Sequence, residues 1–289
     1  MIEAYFIHLL ILIGIYIILA LSLQLAIGYT GLLNLGHIAF FGIGAYTSAL
    51  LTLNGIGFVW AFLIAGIIAM LFGFLISIPV NRLKGDYLAL ATMGFSFVVF
   101  AFLLNWTSLT RGPLGIANIP SPSFFGLQIN STWIFLLFVV IIAVITFLII
   151  YKIISSPFGK VLEAIRDDEL GAKVMGKNTI KMKSYAFAIS AFFAGIAGSL
   201  YAHYITYISP SAFTVMQLIP ILAIVIIGGL ASLKGTVIAT IILVLLPEPL
   251  RFIGIDSALV GPLRQLIYAT ILLIILIYRP KGLFGKIEL

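Results

Sequence analysis

From Ala4 to Asn81 the chain contains no Lys, Arg, Asp or Glu. The same holds from Tyr87 to Thr110, from Gly112 to Tyr151 and from Ser184 to Leu233. A helix crosses a bilayer with about 20 consecutive apolar residues. These stretches are long enough for spans, with turns marked by Gly, Pro, Asn and Thr. A soluble domain is about 45–50% apolar and about 25% charged. This chain of 289 residues is 63% hydrophobic and 9% charged, with a mean hydropathy of +1.26. The composition excludes a soluble enzyme, a nucleic-acid module and a disordered scaffold, and leaves an integral membrane protein. Membrane β-strands would alternate apolar and polar residues. Continuous runs such as Phe135–Ile150 do not alternate, so the spans are helices.

Nine hydrophobic segments can be read, at roughly 5–27, 32–52, 58–79, 87–106, 131–151, 185–207, 213–232, 235–250 and 263–279. The fold expected is an all-α polytopic membrane protein of about nine transmembrane helices (eight to ten), with room for discontinuous, Gly-broken helices. The eighth segment is short and ends at Pro247-Glu248-Pro249. The net charge of +7 is explained by the excess of basic residues in cytoplasmic loops, without nucleic acid. The 152–184 loop holds Lys152, Lys160, Arg166, Lys173, Lys177, Lys181 and Lys183 against Glu163, Asp167, Asp168 and Glu169. The tail adds Arg279, Lys281 and Lys286 against Glu288, and the Asn81–Asp86 turn adds Arg82 and Lys84 against Asp86. Placing these three on the cytoplasmic side fits nine alternating spans, with the N-terminus outside and the C-terminus inside. Met1-Ile2-Glu3 offers no basic leader region, so the first segment reads as a span that stays.

Two hydrophilic segments are long enough to have roles. The external one, residues 107–130, is rich in Gly and Pro, which favour turns, and reads as a connector, a docking surface or a gate. In the internal one, Ser156-Pro157 is a helix start, with Ser as N-cap and Pro at the first helical position. Phe158, Val161, Leu162 and Ile165 follow at helical spacing as one apolar stripe, and Gly176 is the expected stop. Such a helix can lie on lipid headgroups or in a groove of a partner protein. Asp167-Asp168-Glu169 would be repelled by anionic lipids, which favours the partner.

No catalytic or metal-binding constellation emerges, and no cofactor is expected. There is no Cys, and His8, His37 and His203 are far apart. Gly171-Ala172-Lys173-Val174-Met175-Gly176-Lys177-Asn178 nearly matches a phosphate loop. It follows a charged helix instead of a strand, however, and Asn178 replaces the Ser or Thr that would hold magnesium. Polar residues within apolar spans are more informative, because each needs a partner or water. Gly28–His37 and Ile227–Thr236 are both Gly-rich breaks followed by a new apolar helix. They read as a weak internal repeat or as two ordinary turns. Asn34, His37, Thr92 and Ser96 are the candidate pathway residues. Ala191, Ala194, Gly195, Ala197, Gly198 and Ser199 form a small-residue face suited to close helix packing, inside the chain or against a partner. Glu248 reads as a boundary charge paired with Arg251.

Several of these pieces together carry a resemblance. They are Gly28-Tyr29-Thr30-Gly31-Leu32-Leu33-Asn34-Leu35-Gly36-His37, Leu83–Thr92, Thr110–Ile116, Ser156–Lys160 with Ala164–Glu169, and Gly228–Gly235. The chain resembles the permease subunits of branched-chain amino acid ABC importers, LivM type, over nearly its whole length. The resemblance implies one permease domain over 1–289 and no hydrolytic centre. It also implies a second permease subunit, in a heterodimer, two ATPase subunits and an external binding protein. It makes 152–184 the coupling loop, with Phe158, Val161, Leu162, Ile165, Arg166, Asp167, Asp168 and Glu169 facing an ATPase. Gly171-Ala172 stands where the family has two alanines, which lowers helix propensity. Urea, amide or other amino-acid permeases share the framework; a ribose-type sugar permease fits the motifs less well. A stand-alone secondary transporter would need ionisable groups within the spans.

Overall fold

The computed structural model describes residues 2–83, 85–124, 127–128, 131–249, 257–279 and 281–285. Lys84, Arg251, Lys286 and Glu288 lie outside them. Five helices are long and apolar enough to cross a membrane: α1 (Ile2–Ile27), α3 (Phe58–Val80), α4 (Asp86–Asn105), α6 (Thr132–Ser155) and α9 (Thr179–Ile205). The remaining apolar helices are α2 (His37–Leu53), α10 (Leu218–Gly228), α11 (Leu233–Leu245) and α12 (Ser257–Tyr278); over the described residues their apolar parts are shorter. Among the described residues, five of the nine expected segments therefore meet both the length and the apolarity of a span. The short α5 (Thr107–Thr110) and the extramembrane α7 (Pro157–Asp167) and α8 (Glu169–Val174) complete the helices. The external loop adds one small departure from an all-helical chain, an antiparallel pair of two-residue strands, β1 (Ser123–Phe124) and β2 (Leu127–Gln128).

α1 and α9 form the centre, and α3, α4 and α6 expose most of their length. Small residues set the closeness of the central packing. A Cβ on Gly198 would collide with the Phe41 carbonyl of α2, and one on Gly195 would lie 2.5 Å from Ala69 Cβ of α3. The small-residue face of α9 thus packs within the chain, against α2 and α3. Phe40, Phe95 and Phe187 close over this crossing with centroids 5.3–5.7 Å apart.

The loop between α4 and α6 is pinned. Arg111, Gly112 and Gly115 adopt positive φ and turn the chain back toward the end of α9. Ile116 and Ile208 exchange backbone hydrogen bonds of 2.8 and 3.0 Å. The Ile119 N–H donates to Thr206, and His203 Nδ1 lies 2.8 Å from the Pro120 carbonyl.

Inside the 152–184 segment the caps fall where the sequence puts them. Ser156 Oγ accepts from the Gly159 N–H, and Gly176 takes φ +77° after α8. The helix is nonetheless divided. Asp168 leaves helical geometry (φ −151°, ψ 98°), and its carboxylate caps the Leu170 and Gly171 N–H groups at 3.0 Å each. An Asp that bonds nearby backbone competes with helix continuation. The break therefore precedes Gly171 by three positions.

Candidate functional site

The two Gly-rich breaks, about 200 residues apart in sequence, meet in space. Gln24 Nε2 donates to the Gly229 carbonyl and Tyr29 Oη to the Ala231 carbonyl, each at 2.8 Å. A Cβ on Gly28 would stand 2.7 Å from the Ala231 nitrogen, so glycine is what lets the two backbones touch. Gly229 has φ +96°, a conformation that costs an L side chain strain. The turn after α12 completes the junction. Its Leu283 and Phe284 N–H groups donate to the carbonyls of Ile227 and Gly228, at 2.8 and 3.2 Å, which satisfies the end of α10.

The first break also holds the candidate pathway residues. Asn34 and His37 lie in and just after it; Thr92 and Ser96 reach it from α4. All four are buried. Thr92 Oγ1 accepts from the Leu35 N–H at 3.0 Å, and Ser96 Oγ donates to the Leu35 carbonyl at 3.3 Å. Asn34 Oδ1 accepts from the Gly36 N–H at 2.9 Å. His37 Nε2 lies 2.8 Å from Ser22 Oγ, whose own proton goes to the Leu19 carbonyl. That places the imidazole proton on Nε2. Three buried polar atoms here have no protein partner: Gln24 Oε1, Asn34 Nδ2 and His37 Nδ1. Buried polar groups are almost always hydrogen-bonded, so three orphans in one region mark a place where water or a polar solute is accommodated.

The amphipathic helix reaches this junction directly. Arg166 Nη1 donates to the Gly28 carbonyl at 2.9 Å, and its Nε and Nη2 hold Asp167, each at 2.8 Å. The Arg166 stem lies along Gly31, where a Cβ would come within 3.2 Å of Arg166 Cγ. The apolar stripe is not free for a partner. Leu162 and Ile165 are 0% and 2% exposed, covered by this chain's own helices, and Phe158 and Val161 are half-buried. The stripe's cover is intramolecular, neither lipid headgroups nor a partner. The apolar groups left open are on and just after α8: Leu170, Val174 (89% exposed) and Met175.

α8 is anchored to α9 by Glu169. Its carboxylate takes Lys183 Nζ at 2.7 Å, Lys173 Nζ at 2.9 Å and the Thr179 hydroxyl at 3.1 Å. Burial pushes this carboxyl up, but the bonds from Lys183 and Lys173 outweigh burial and hold it at about 2. Lys183 is itself buried.

Connectivity sorts these elements to the two ends of α1. α1 runs from Tyr5, which donates to Glu248, to the Gly28 junction beneath Arg166. α7, α8, the Asn81–Ser184 hydrogen bond and the turn at 281–285 lie at the junction end; Glu248, the loop after α5 and the end of α9 lie at the other. Glu248 accepts from Tyr5; Arg251, the partner expected from the sequence, lies outside the described residues.

Helices that span a membrane, breaks that meet within them, and an extramembrane helix bonded to that meeting point make up a multi-pass membrane permease. The model of the branched-chain amino acid transport system / permease component family matches residues 5–277, and the chain belongs to that family. It is 39% identical, over 93% of its length and 67% of the relative's, to the high-affinity branched-chain amino acid transport system permease protein LivM of Escherichia coli K12. A probable LivM permease of Methanocaldococcus jannaschii is 28% identical over 94% of this chain and 91% of its own. The LivH permease of E. coli K12 is 26% identical over 94% of this chain and 92% of its own. No solved structure matches. These relatives are transport permeases, and the two types LivM and LivH are both similar to this chain.

Proposed function

We propose that this chain is one of two permease subunits of an ATP-driven importer. It would move leucine, isoleucine and valine inward from an external binding protein. Two ATPase subunits on separate chains would drive it, and the N-terminus would lie outside. The observation that carries the reading is the Arg166–Gly28 bond. It ties a cytoplasm-facing amphipathic helix to the meeting of the two breaks inside the membrane. In this reading α7 and α8 act as a rigid lever. Leu170, Val174 and Met175, beside Asp167 and Asp168, face the ATPase; Phe158, Val161, Leu162 and Ile165 hold the lever to the bundle, and Glu169 fixes α8 on α9. Asn34 and His37 offer orphaned polar atoms to the passing solute, and Thr92 and Ser96 hold the broken backbone in shape.

The test is uptake of labelled leucine into proteoliposomes containing the chain, its partner permease and ATPases, with ATP inside and loaded binding protein outside. Uptake that needs both ATP and the binding protein, and that isoleucine and valine compete away, supports the reading. Gradient-driven uptake by the chain alone, or competition by urea or amides but not by isoleucine, overturns it.

A further inference from the structure

Lys234, in the first turn of α11, is exposed and lines an otherwise apolar groove of about 560 Å³ between α1, α6 and α11. We infer that this groove is a binding site for one anionic phospholipid, with an acyl chain along the groove and the phosphate on the Lys234 ammonium. The inference goes beyond the importer reading and rests only on the membrane-spanning fold.

The cation has no other anion to hold. The four ion pairs among the described residues use Lys160, Arg166, Lys173 and Lys183. Lys234 has neither an ion pair nor a side-chain hydrogen bond among those residues. It follows Ala231, at the meeting of the two breaks, by roughly 4.5 Å along the helix. α1 has 26 residues and is roughly 39 Å long, more than a hydrocarbon core of about 30 Å, and the meeting lies at its end. Lys234 therefore sits where hydrocarbon gives way to headgroups. A lysine there lays its stem on apolar surface and carries its charge to the phosphates. The exposed stripe of α11 continues as Ile238, Ile241, Ile242 and Leu245, with no second charge.

The groove has the length of a lipid tail. On α6 its lining runs from Leu136 through Val140 and Ala143 to Phe147, roughly 16 Å at 1.5 Å per residue. One leaflet supplies about half of the 30 Å core. Lys234 stands at the junction end of this run, because α11 begins at the breaks and α6 passes Phe147 on its way to α7. Beyond Phe147 the same α6 face carries Tyr151, 55% exposed, its ring parallel to that of Phe147. Tyrosine collects at headgroup depth. The flanking surface is lipid-facing in character. α6 is the most apolar of the five spans, and it exposes Leu137, Val140, Ile141, Val144, Ile145 and Leu148, all large, where contacts between membrane helices favour small residues. A second apolar groove, of about 430 Å³ between α3 and α9, has Leu71, Phe74 and Tyr185 in its wall and no charged side chain. It has the means to take a tail but none to choose a headgroup.

The chain has no cysteine, so Val140→Cys or Ile238→Cys places one thiol in the charged groove and Leu71→Cys one in the uncharged groove. The full chain, with the subunits that co-purify with it, is labelled with N-ethylmaleimide in non-ionic detergent. Dioleoylphosphatidylglycerol or dioleoylphosphatidylcholine is added in rising amounts, and gel filtration checks that each variant is folded. One lysine at a membrane surface favours an anionic lipid about fivefold. Half-protection of Val140→Cys and Ile238→Cys should therefore need about fivefold less of the anionic lipid, while Leu71→Cys should respond to the two lipids alike. Lys234→Gln should remove the preference and Lys234→Arg should keep it. Equal half-protection by the two lipids refutes the anionic site. A preference that survives Lys234→Gln refutes the role given to Lys234. Thiols that neither lipid protects, or that a subunit already covers, refute the groove as a lipid site.

Discussion

The Arg166→Ala substitution tests the lever most directly. Arg166 has a side chain 15% exposed and donates 2.9 Å to the Gly28 carbonyl. A hydrogen bond from a charged group contributes about 1.5–3 kcal/mol. Partial exposure argues for the lower half of that range, near 2 kcal/mol. At 1.4 kcal/mol per factor of ten, the balance between docked and undocked α7 should move roughly 30-fold. Asp167 is 65% exposed, and such a surface pair contributes about 0–1 kcal/mol. Asp167→Ala should therefore shift the same balance by no more than about fivefold. Arg166→Lys keeps a charge but loses the planar fork that spans Gly28 and Asp167, so its effect should fall between the two. The assay is leucine imported per ATP hydrolysed in proteoliposomes, with assembly checked by gel filtration. Arg166→Ala should keep ATP hydrolysis and lose most of the uptake per ATP. An unchanged ratio in an assembled complex would show that force does not pass through the Gly28 contact.

Two further substitutions test what holds the lever and the bundle. Breaking a buried ion pair costs about 3–5 kcal/mol. Glu169 is partly solvated, so Glu169→Gln should destabilise the purified chain by about 1–3 kcal/mol, read as a fall in detergent Tm. Because the Glu169 carboxyl is held at about 2, below its ordinary value, its contribution is complete above about pH 5. That contribution is lost as pH falls from about 4.5 toward 2, and the Tm gap between wild type and Glu169→Gln should close over that window. Gly198→Val should lower the Tm strongly, because its Cβ would meet the Phe41 carbonyl and stand 2.8 Å from the Ala45 nitrogen. Overpacking costs about 1–3 kcal/mol even where only side chains must yield. Gly94→Ala, with nothing within 4 Å of the added atom, should be neutral or slightly stabilising.

What the sequence made legible was local. Ser156-Pro157 starts a helix because its capping chemistry is contained in neighbouring residues, and the structure keeps that start. The apolar stripe of Leu162 and Ile165 was equally legible as a face that must be covered. Periodicity does not say what covers it, and the cover is this chain's own bundle. Both Gly-rich breaks could be read, but their meeting could not. The Gly28–Ala231 approach is a tertiary contact that only the folded path of the nine intervening helices, α2 to α10, brings about.

Helix length sets α10 and α11 apart from the five full spans. α10 has 11 residues and α11 has 13, which at 1.5 Å per residue is roughly 17 and 20 Å, short of a hydrocarbon core of about 30 Å. The sequence shows the second of these, the eighth segment, as short; for the first, the run 213–232, hydropathy averages across the helix ends. A helix that stops short must place its terminal polar groups against protein or water, because lipid cannot satisfy them. α10 ends on the backbone donors of Leu283 and Phe284, and its other end opens on a cavity beside Glu248. The shortness of α10 is thus what lets its C-terminal end stop at the meeting of the two breaks, on protein donors in place of lipid.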